Sequence, residues 1–299
     1  MARGRARRGG DRAARRRDRG TGPRALRGAA LTPTVHTPAG VAALADAARA
    51  LGGRFPVHLK VDTGMHRIGV WPPSSAAELA ATIVDAGLEL DGVFTHLASA
   101  DADEAFTATQ LARFREALDG ITARVGRPRV VHAANSAATR RLPDATFDLV
   151  RAGIALYGLD AGDDLAADLR PALTLRTRVT ALRRLDAGEA VSYGQEYRLA
   201  RPGTIATLPV GYADGYPRRV WPGAEVLIGG RRFPVAGRVT MDQVLVDCGD
   251  AAVAEGDEAV LLGAQGDERI RAEDLARLVG TIPYEIVTGI SARVPREYA

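Results

Sequence analysis

The first residues that could do chemistry lie in the segment 57–70, VHLKVDTGMHRIGV. Its β-branched start predicts a short strand, and the glycine-punctuated stretch from Asp62 to Gly69 predicts a polar loop. Arg67 in that loop suits a carboxylate or phosphate, because a guanidinium offers paired donors; a merely solvated loop is the alternative. Lys60 is the only lysine among the 299 residues, so lysine chemistry must use it.

Three more polar groups follow predicted strands. His96 ends one strand, although a lone histidine is more often a satisfied core residue. The segment 132–136, HAANS, opens a helix that Asn135 or Ser136 would cap. Free N–H groups there suit an anion, and a plain helix cap is the alternative. Arg151 stands before small residues over which a ligand can approach, and in so apolar a context it needs a partner.

Glycine-flanked turns recur in the second half of the chain. The segments are 192–194 (SYG), 211–216 (GYADGY) and 237–242 (GRVTMD), and 282–286 (IPYEI) starts a helix with proline in its first turn. Each could be turn chemistry alone, but three together, with repeated tyrosine, indicate a lined surface. No cysteine pair or i, i+4 histidine pair suggests a metal site.

Strands alternate with helices up to about residue 165, which predicts parallel βα units. Beyond that point short strands separated by glycine, proline and aspartate turns predict a mainly β domain. We therefore expect a leader at 1–30, an α/β domain at 31–165 and a β domain at 166–299. The expected strands are 56–62, 90–96, 129–133, 147–151, 173–185, 204–210, 224–228, 232–238, 243–247 and 258–262.

Composition narrows the class of protein. Residues 1–27 carry eleven arginines and two aspartates, a local charge of 11 − 2 = +9. Because the whole chain has a net charge of +4, the remaining residues are acidic, with a net charge of 4 − 9 = −5. The leader lacks aromatic and β-branched aliphatic residues, and we expect it to be disordered. A nucleic-acid-binding arm is the alternative, although interleaved aromatics are missing. No apolar run approaches a membrane span and no signal peptide is evident, which favours the cytoplasm.

Seven motifs occur in the order found in alanine racemases: LKVDTGMHRIG, HAANSAA, VRAGIALYG, VSYG, GYADGYPR, GRVTMDQ and IPYEI. From about residue 31 to 298 the chain resembles that family. The resemblance implies an α/β fold, a (β/α)8 TIM-type barrel followed by a mainly β C-terminal domain. It implies pyridoxal 5'-phosphate as cofactor. The implied reaction is the interconversion of L-alanine and D-alanine by a two-base mechanism, which supplies D-alanine for peptidoglycan. It also implies a cytoplasmic homodimer with shared active sites and no nucleic-acid or membrane partner.

The resemblance also implies roles for single residues. Tyr193 matches the catalytic tyrosine that exchanges the α-proton. Arg67 matches the arginine that holds the substrate carboxylate and the phenolic oxygen of the cofactor. Met241 matches a backbone contact to the carboxylate across the dimer interface, and Tyr212 resembles a gate in the substrate entrance. Lys60 matches a lysine that is often carbamylated and orients Arg67.

Further residues match positions that hold the cofactor. Arg151 matches the arginine that bonds the pyridine nitrogen. His96 resembles the histidine that links this arginine to the tyrosine. The phosphate-binding positions match Ser136, Gly153, Ile154 and Tyr284.

One family feature has no counterpart in the chain. The lysine that holds the cofactor lies on the first barrel strand, whereas the flanks of Lys60 match the carbamylated position. A barrel typically needs ~250 residues, and 31–165 offers about 135, so we expect an incomplete barrel lacking its N-terminal part. The arginine-rich leader is expected to reflect a frame or start-site error, and the chain as written is expected not to racemise alanine.

Two alternatives stay open within the resemblance. One is a racemase for another amino acid, such as serine or lysine. The other is a non-catalytic protein, either a dimerising remnant or a pyridoxal-phosphate-binding protein without chemistry. Small pyridoxal-phosphate homeostasis proteins share the barrel but lack a β domain, so residues 170–299 argue against that relationship.

Overall fold

The computed structural model describes residues 31–160 and 169–298. It divides into two compact units between Ala152 and Gly153. The predicted leader at 1–30 and the predicted boundary at 165/166 lie outside the described residues.

The first unit is a parallel sheet with its helices. The strands are in the order β1-β2-β3-β4, all parallel, and each connection between neighbours contains a helix. This confirms the prediction of parallel βα units. The elements are β1 Thr34–Val35, α1 Pro38–Leu51, β2 Pro56–Lys60, α2 Ala76–Asp85, β3 Glu89–Phe94, α3 Glu104–Val125, β4 Val130–His132 and α4 Ser136–Arg141.

Local sequence rules set the ends of these helices. Thr37 caps α1, because its Oγ1 accepts a hydrogen bond from the Gly40 N–H at 3.1 Å. The same helix has proline in its first turn and ends at Gly52, which is left-handed at φ 63°. Asp103 caps α3 in the same way by accepting from the Phe106 N–H.

The predicted strand at 147–151 is wrong. Phe147 has a positive φ of 46°, which interrupts the extended backbone. The Asp148 N–H donates to the Val131 carbonyl oxygen, and the Arg151 N–H donates to that of Ala134. The segment therefore lies beside β4 without forming a ladder. The Asp148 carboxylate accepts from the Val131 N–H, so a side chain takes a bond that a strand would have made.

The second unit is mainly antiparallel β, as predicted. One sheet joins β11, β10, β13 and β14 with β5 beside β13, another has the order β12-β9-β6, and β7 pairs with β8. The elements are β5 Leu175–Arg178, β6 Ala181–Leu185, β7 Ala190–Val191, β8 Tyr197–Arg198, β9 Gly203–Leu208, β10 Glu225–Ile228, β11 Arg231–Pro234, β12 Val244–Gly249, β13 Glu258–Gln265, β14 Glu268–Ile270, α5 Ala272–Val279 and α6 Pro283–Gly289.

The predicted single strand at 173–185 is two strands in two sheets. β5 pairs with β13, whereas β6 pairs with β9, and residues 179–180 carry the chain between them. Val179 and Leu175 are buried in the core of this unit, so the crossing itself contributes apolar packing.

No helix within the described parts of the chain is both long enough and apolar enough to cross a membrane.

Candidate active site

One face of the first unit's sheet is polar. Strand alternation sends Val57 and Leu59 to the apolar face, where both are fully buried. His58 and Lys60 therefore point to the opposite face. The parallel register places Lys60 beside Phe94, and Phe94 beside His132. Basic and aromatic side chains from three strands thus share one surface.

A glycine makes room for the first histidine on this face. Gly92 lies opposite His58 in the ladder. A Cβ atom added at Gly92 would lie 2.5 Å from His58 Nε2, closer than real Cβ contacts come. A glycine inside a strand commonly marks such a close approach. The His58 ring accordingly packs directly over the backbone of β3.

Phe94 lies at the centre of the basic groups. The His132 ring stacks on it with 4.6 Å between centroids and 6° between planes. The Lys60 Nζ lies 5.7 Å from its centroid, and the Arg151 Cζ lies 5.5 Å away. Both distances fall in the range of cation–π attraction. The ring thereby helps to hold two cations near each other on a largely buried surface.

Arg151 is held by four acceptors. Its Nη1 donates to His132 Nδ1 at 2.6 Å. Its Nη2 lies 2.9 Å from the Thr95 carbonyl oxygen, 3.0 Å from that of Ala133 and 3.3 Å from His96 Nδ1. Burial lowers the pKa of the guanidinium, which nevertheless stays charged at neutral pH. These contacts fix the position and orientation of the charge.

A chain of hydrogen bonds runs from Arg151 across the sheet. His58 Nδ1 lies 3.1 Å from His132 Nε2, and His58 Nε2 lies 3.3 Å from Asp91 Oδ2. Asp91 also accepts two bonds from Arg129, at 2.7 and 2.8 Å. The bonds to Arg129 and His58 hold the pKa of the Asp91 carboxyl below its ordinary value, against the opposing effect of burial.

The ends of this chain determine the histidine tautomers. A guanidinium only donates and a carboxylate only accepts. His132 therefore accepts through Nδ1 and donates its Nε2 proton to His58, which in turn donates its Nε2 proton to Asp91. Burial, Arg151 and His58 lower the pKa of His132 to about 4. His132 is consequently neutral at pH 7, as this order of donors requires.

The loop at 62–69 is closed by its own polar groups. Asp62 Oδ1 accepts from the N–H groups of Gly64 and His66, at 2.9 and 3.0 Å. Gly69 packs so tightly that an added Cβ would lie 2.5 Å from the Asp62 nitrogen, and its φ is 140°. This compact turn leaves the Arg67 side chain exposed, which suits an approaching anion.

Four basic groups act on one another at this end of the sheet. Burial and the charges of Arg151, Arg67 and Lys60 lower the pKa of His96 to about 4. Burial, Arg67 and Arg151 lower the pKa of Lys60, while Asp62 partly opposes them. Lys60 is only 5% exposed. A neutral histidine among cations is a setting that favours an anionic or electron-rich ligand.

The predicted turns of the second unit also lie together. The N–H groups of Tyr212 and Ala213 donate to the carbonyl oxygens of Thr240 and Met241. A Cβ added at Gly237 would lie 2.8 Å from that of Ser192, so the turn before Tyr193 also packs here.

Three predicted site side chains stand out from this surface of the second unit. Tyr193 is 67% exposed, Met241 53% and Tyr212 40%. Backbone hydrogen bonds and the Ser192 hydroxyl, which donates to the Arg238 carbonyl oxygen at 2.6 Å, hold the turns together, whereas these larger side chains face outwards.

The predicted phosphate-binding residues divide between the units. Ser136 is buried at the start of α4 in the first unit, where Asn135 caps the helix by accepting from the Ala138 N–H. Ile154 is buried and Gly153 precedes it in a 3₁₀ turn of the second unit, whereas Tyr284 is partly exposed in α6.

The sequence interpretation gave no role to His58, Phe94, His132 and Asp91. Two features of the sequence point to this group of residues. His58 stands two residues before Lys60 and so shares its face, and Gly92 inside a strand marks a close approach. The register that joins these residues is not visible in the sequence. Among the described residues, no group of three histidine, cysteine, aspartate or glutamate side chains is placed to hold a metal ion.

Two family models together match most of the chain. The model described as "Alanine racemase, N-terminal domain" matches residues 19–161, and "Alanine racemase, C-terminal domain" matches 172–298. The chain belongs to the alanine racemase family. The fold agrees with this assignment, because the family combines a TIM-like barrel domain with a β domain.

Named alanine racemases are also similar along most of the chain. That of Symbiobacterium thermophilum is 51% identical over 255 residues, which cover 84% of this chain and 67% of the relative. That of Halothermothrix orenii is 46% identical, with coverage of 81% and 65%. The chain thus spans about two thirds of the length of these relatives.

Solved structures of alanine racemases share the fold. The enzyme of Streptomyces coelicolor A3(2) superposes with a TM-score of 0.88 at 40% identity, covering 93% of this chain and 75% of that one. The enzyme of Bartonella henselae, solved with covalently bound pyridoxal phosphate, superposes with a TM-score of 0.82 at 29% identity. Its coverage is 93% and 76%.

Proposed function

We propose that this chain carries the substrate-binding and cofactor-orienting groups of an alanine racemase, and that residues 1–299 alone bind pyridoxal 5'-phosphate without racemising alanine. The cluster of Lys60, Arg67, His96 and Arg151 at the strand ends carries this proposal. Its charge suits the anionic groups of an amino acid and of the cofactor. Membership of the family supports alanine as the substrate, made into D-alanine for peptidoglycan in the cytoplasm.

The residues present fit the cofactor in part. Arg151 can donate to a pyridine nitrogen but cannot give up its proton, so it suits a ring nitrogen that stays unprotonated. Arg67 is free to meet a phenolic oxygen or a carboxylate. The sole lysine is 5% exposed beneath these groups. Covalent attachment is therefore not provided by an accessible lysine side chain of this chain.

The remaining roles follow the family positions. The cofactor supplies, when bound, the electron sink that makes the α-proton of an amino acid removable. Ser136, Gly153, Ile154 and Tyr284 would hold its phosphate. His96 would link Arg151 to the catalytic tyrosine.

The second unit would contribute to the site of a partner subunit. Inversion needs proton transfer on two opposite faces, and Tyr193 would move one proton at its phenolic oxygen. Met241 would contact the substrate carboxylate through its backbone, and Tyr212 would gate the entrance. The high exposure of all three side chains supports a role that another surface completes, and so a homodimer.

Lys60 is proposed to be carbamylated. A carbamate forms from the neutral amine, and burial together with two neighbouring guanidiniums lowers the pKa of this amine. The negative carbamate would then face Arg67 and hold it in place. The expected signature is a bicarbonate-dependent carbonyl resonance on ¹³C labelling that a Lys60→Met variant lacks.

The function is tested by titrating the purified chain with pyridoxal 5'-phosphate and assaying it with L-alanine. We expect saturable binding that borohydride does not make permanent, and no formation of D-alanine. Arg151→Gln should abolish binding, whereas Arg127→Gln, which removes an exposed arginine paired with Asp148, should not. Borohydride trapping on Lys60 would refute the non-covalent part, measurable racemisation would refute the inactivity, and an absence of binding would refute the whole proposal.

A further inference from the structure

A glutamine is fully buried inside the first unit. Gln110 lies in the N-terminal half of α3 and has no exposed surface. A buried amide is retained only when its donors and acceptor are matched, since an unmatched one costs free energy. Its partners therefore show what the side chain does.

Three hydrogen bonds tie this amide to loops at the strand ends. Oε1 accepts from the Ala98 N–H at 2.8 Å. Nε2 lies 3.1 Å from Thr63 Oγ1 and 3.2 Å from the His96 carbonyl oxygen. The Ala98 N–H can only donate and the His96 carbonyl can only accept, so the orientation of the amide follows from its partners.

The two loops belong to different strands. Thr63 opens the loop after β2, which carries Arg67, and His96 and Ala98 lie in the loop after β3. Direct contact between the loops is provided by the hydroxyls of Thr63 and Thr95, 2.7 Å apart. Gln110 thus connects the two loops that carry Arg67 and His96.

The same helix supports the first loop at two further points. Arg113 Nη1 donates to the Thr63 carbonyl oxygen at 3.0 Å. A Cβ added at Gly64 would lie 2.8 Å from the Phe106 ring and 3.5 Å from Gln110 Cγ. The loop therefore rests on α3, and its position depends on what the helix presents.

We propose that Gln110 is a positioning residue that sets the distance between the Arg67 loop and the His96 loop. Its role in ligand binding rests on the proposed function. Only an amide of this length can accept from the Ala98 N–H and also donate to Thr63 and to the His96 carbonyl oxygen. Glutamate lacks the N–H donors, methionine lacks both kinds of group, and asparagine is one methylene shorter.

The structural test compares Gln110→Met with Leu111→Ala. Methionine keeps the length of the side chain and removes its hydrogen bonds. Leu111→Ala removes core packing from the next position on α3, where the leucine is 6% exposed. Amide exchange is measured in segments 62–69 and 95–99, and the pKa of His96 is measured by NMR of labelled imidazoles.

Gln110→Met should raise exchange in both segments by at least tenfold. It should also bring the pKa of His96 back towards its ordinary value, because the ring becomes more solvated and lies farther from Arg67. Arg151 and Lys60 would still act on it. Leu111→Ala should leave both readouts as in the wild type. The proposal is overturned if Gln110→Met changes neither readout, or if Leu111→Ala changes them equally.

A ligand measurement separates this proposal from the proposed function. Pyridoxine 5'-phosphate, which has no aldehyde, is titrated into each variant. We expect its affinity to fall at least tenfold in Gln110→Met and to be kept in Leu111→Ala; equal affinity in Gln110→Met and wild type would overturn the role in ligand binding. If the wild type does not bind, the proposed function fails, while amide exchange and the His96 pKa still decide whether Gln110 positions the loops.

Discussion

The two units present their candidate site residues in opposite ways. In the first unit Arg151, His132 and Lys60 are wholly or partly buried, and hydrogen bonds or aromatic contacts hold each of them. In the second unit the side chains of Tyr193 and Met241 stand out from turns that are held by backbone hydrogen bonds and by neighbouring side chains such as Ser192 and Asp214. One unit orients these basic groups through internal contacts, whereas the other exposes its tyrosine and methionine side chains.

This difference has a thermodynamic consequence. Groups that are buried and hydrogen-bonded contribute to folding as well as to binding, because removing one leaves its partners unsatisfied. Exposed side chains can be changed at little cost to stability. Substitutions at the buried groups of the first unit should therefore weaken both binding and folding, whereas substitutions at the exposed side chains of the second unit should leave folding nearly unchanged. Trp71 and Trp221 are the only two tryptophans, so replacing either by phenylalanine leaves a fluorescent probe in the other unit.

The largest effect is expected for Arg151→Met. The change removes the donor of His132 Nδ1, His96 Nδ1 and two carbonyl oxygens, and each unsatisfied buried group costs about 1–3 kcal/mol. The free energy of unfolding of the first unit should fall by about 3–4 kcal/mol, as measured by urea denaturation through Trp71. A loss below ~1 kcal/mol would mean that the contacts of Arg151 serve binding alone.

The next effect is the response to acid. His96 and His132 have pKa values lowered to about 4 in the folded chain, below the ordinary value of about 6.5. Between pH 6.5 and pH 4 the unfolded chain therefore binds more protons than the folded chain. The free energy of unfolding is highest above pH 6.5 and decreases as the pH falls towards 4. We expect His132 to contribute about 2–3 kcal/mol of this loss.

The comparison variant for the acid response is His132→Gln. It should lose less unfolding free energy between pH 7 and pH 4 than the wild type. All five histidines lie at positions 36–132, so a probe at Trp221 should not report the histidine part of the response. An equal histidine-dependent loss at both tryptophans would break the contrast between the units.

A smaller effect is expected for Gly92→Ala. The added methyl group must displace the His58 ring, and such overpacking costs about 1–3 kcal/mol. Gly120→Ala is the matched control, because its Cβ meets Ala77 at an ordinary 3.7 Å. Alanine also favours a helix interior, so the control should gain about 0.5–1 kcal/mol. Urea denaturation of both variants gives the sign of each change.

The smallest effect is expected for Tyr193→Phe. The ring is 67% exposed, so removing its hydroxyl should change the free energy of unfolding by less than ~0.5 kcal/mol. Denaturation followed through Trp221 measures this directly. A loss above ~1 kcal/mol would show that the hydroxyl has a structural partner and that the two units are less different than described.

The sequence predicted most elements because local rules determine them. Thr37, Pro38 and Gly52 mark the ends of α1 through capping chemistry and a left-handed residue. The alternation of Val57, His58 and Leu59 follows directly from strand geometry. Turn residues likewise identified the short strands of the second unit.

What the sequence could not supply was register and long-range pairing. The interpretation identified Lys60, Arg67 and Arg151 singly, but the chain from Arg151 to Asp91 depends on which residues face each other across three strands. Gln110 likewise looks like an ordinary residue of an amphipathic helix. The strand expected at 147–151 was wrong because a positive φ at Phe147 follows from tertiary packing rather than from local preference.

The single lysine allows local opening of the folded chain to be measured at one residue. In buffer free of carbon dioxide, where Lys60 carries no carbamate, an amine-selective reagent can modify only Lys60 and the chain's N-terminal amine. Since Lys60 is 5% exposed, modification requires the loops above it to open transiently. The labelling rate at one defined atom would therefore measure how often this end of the sheet opens. A ligand that closes the cluster should slow that rate, and the measurement needs no substitution in the chain.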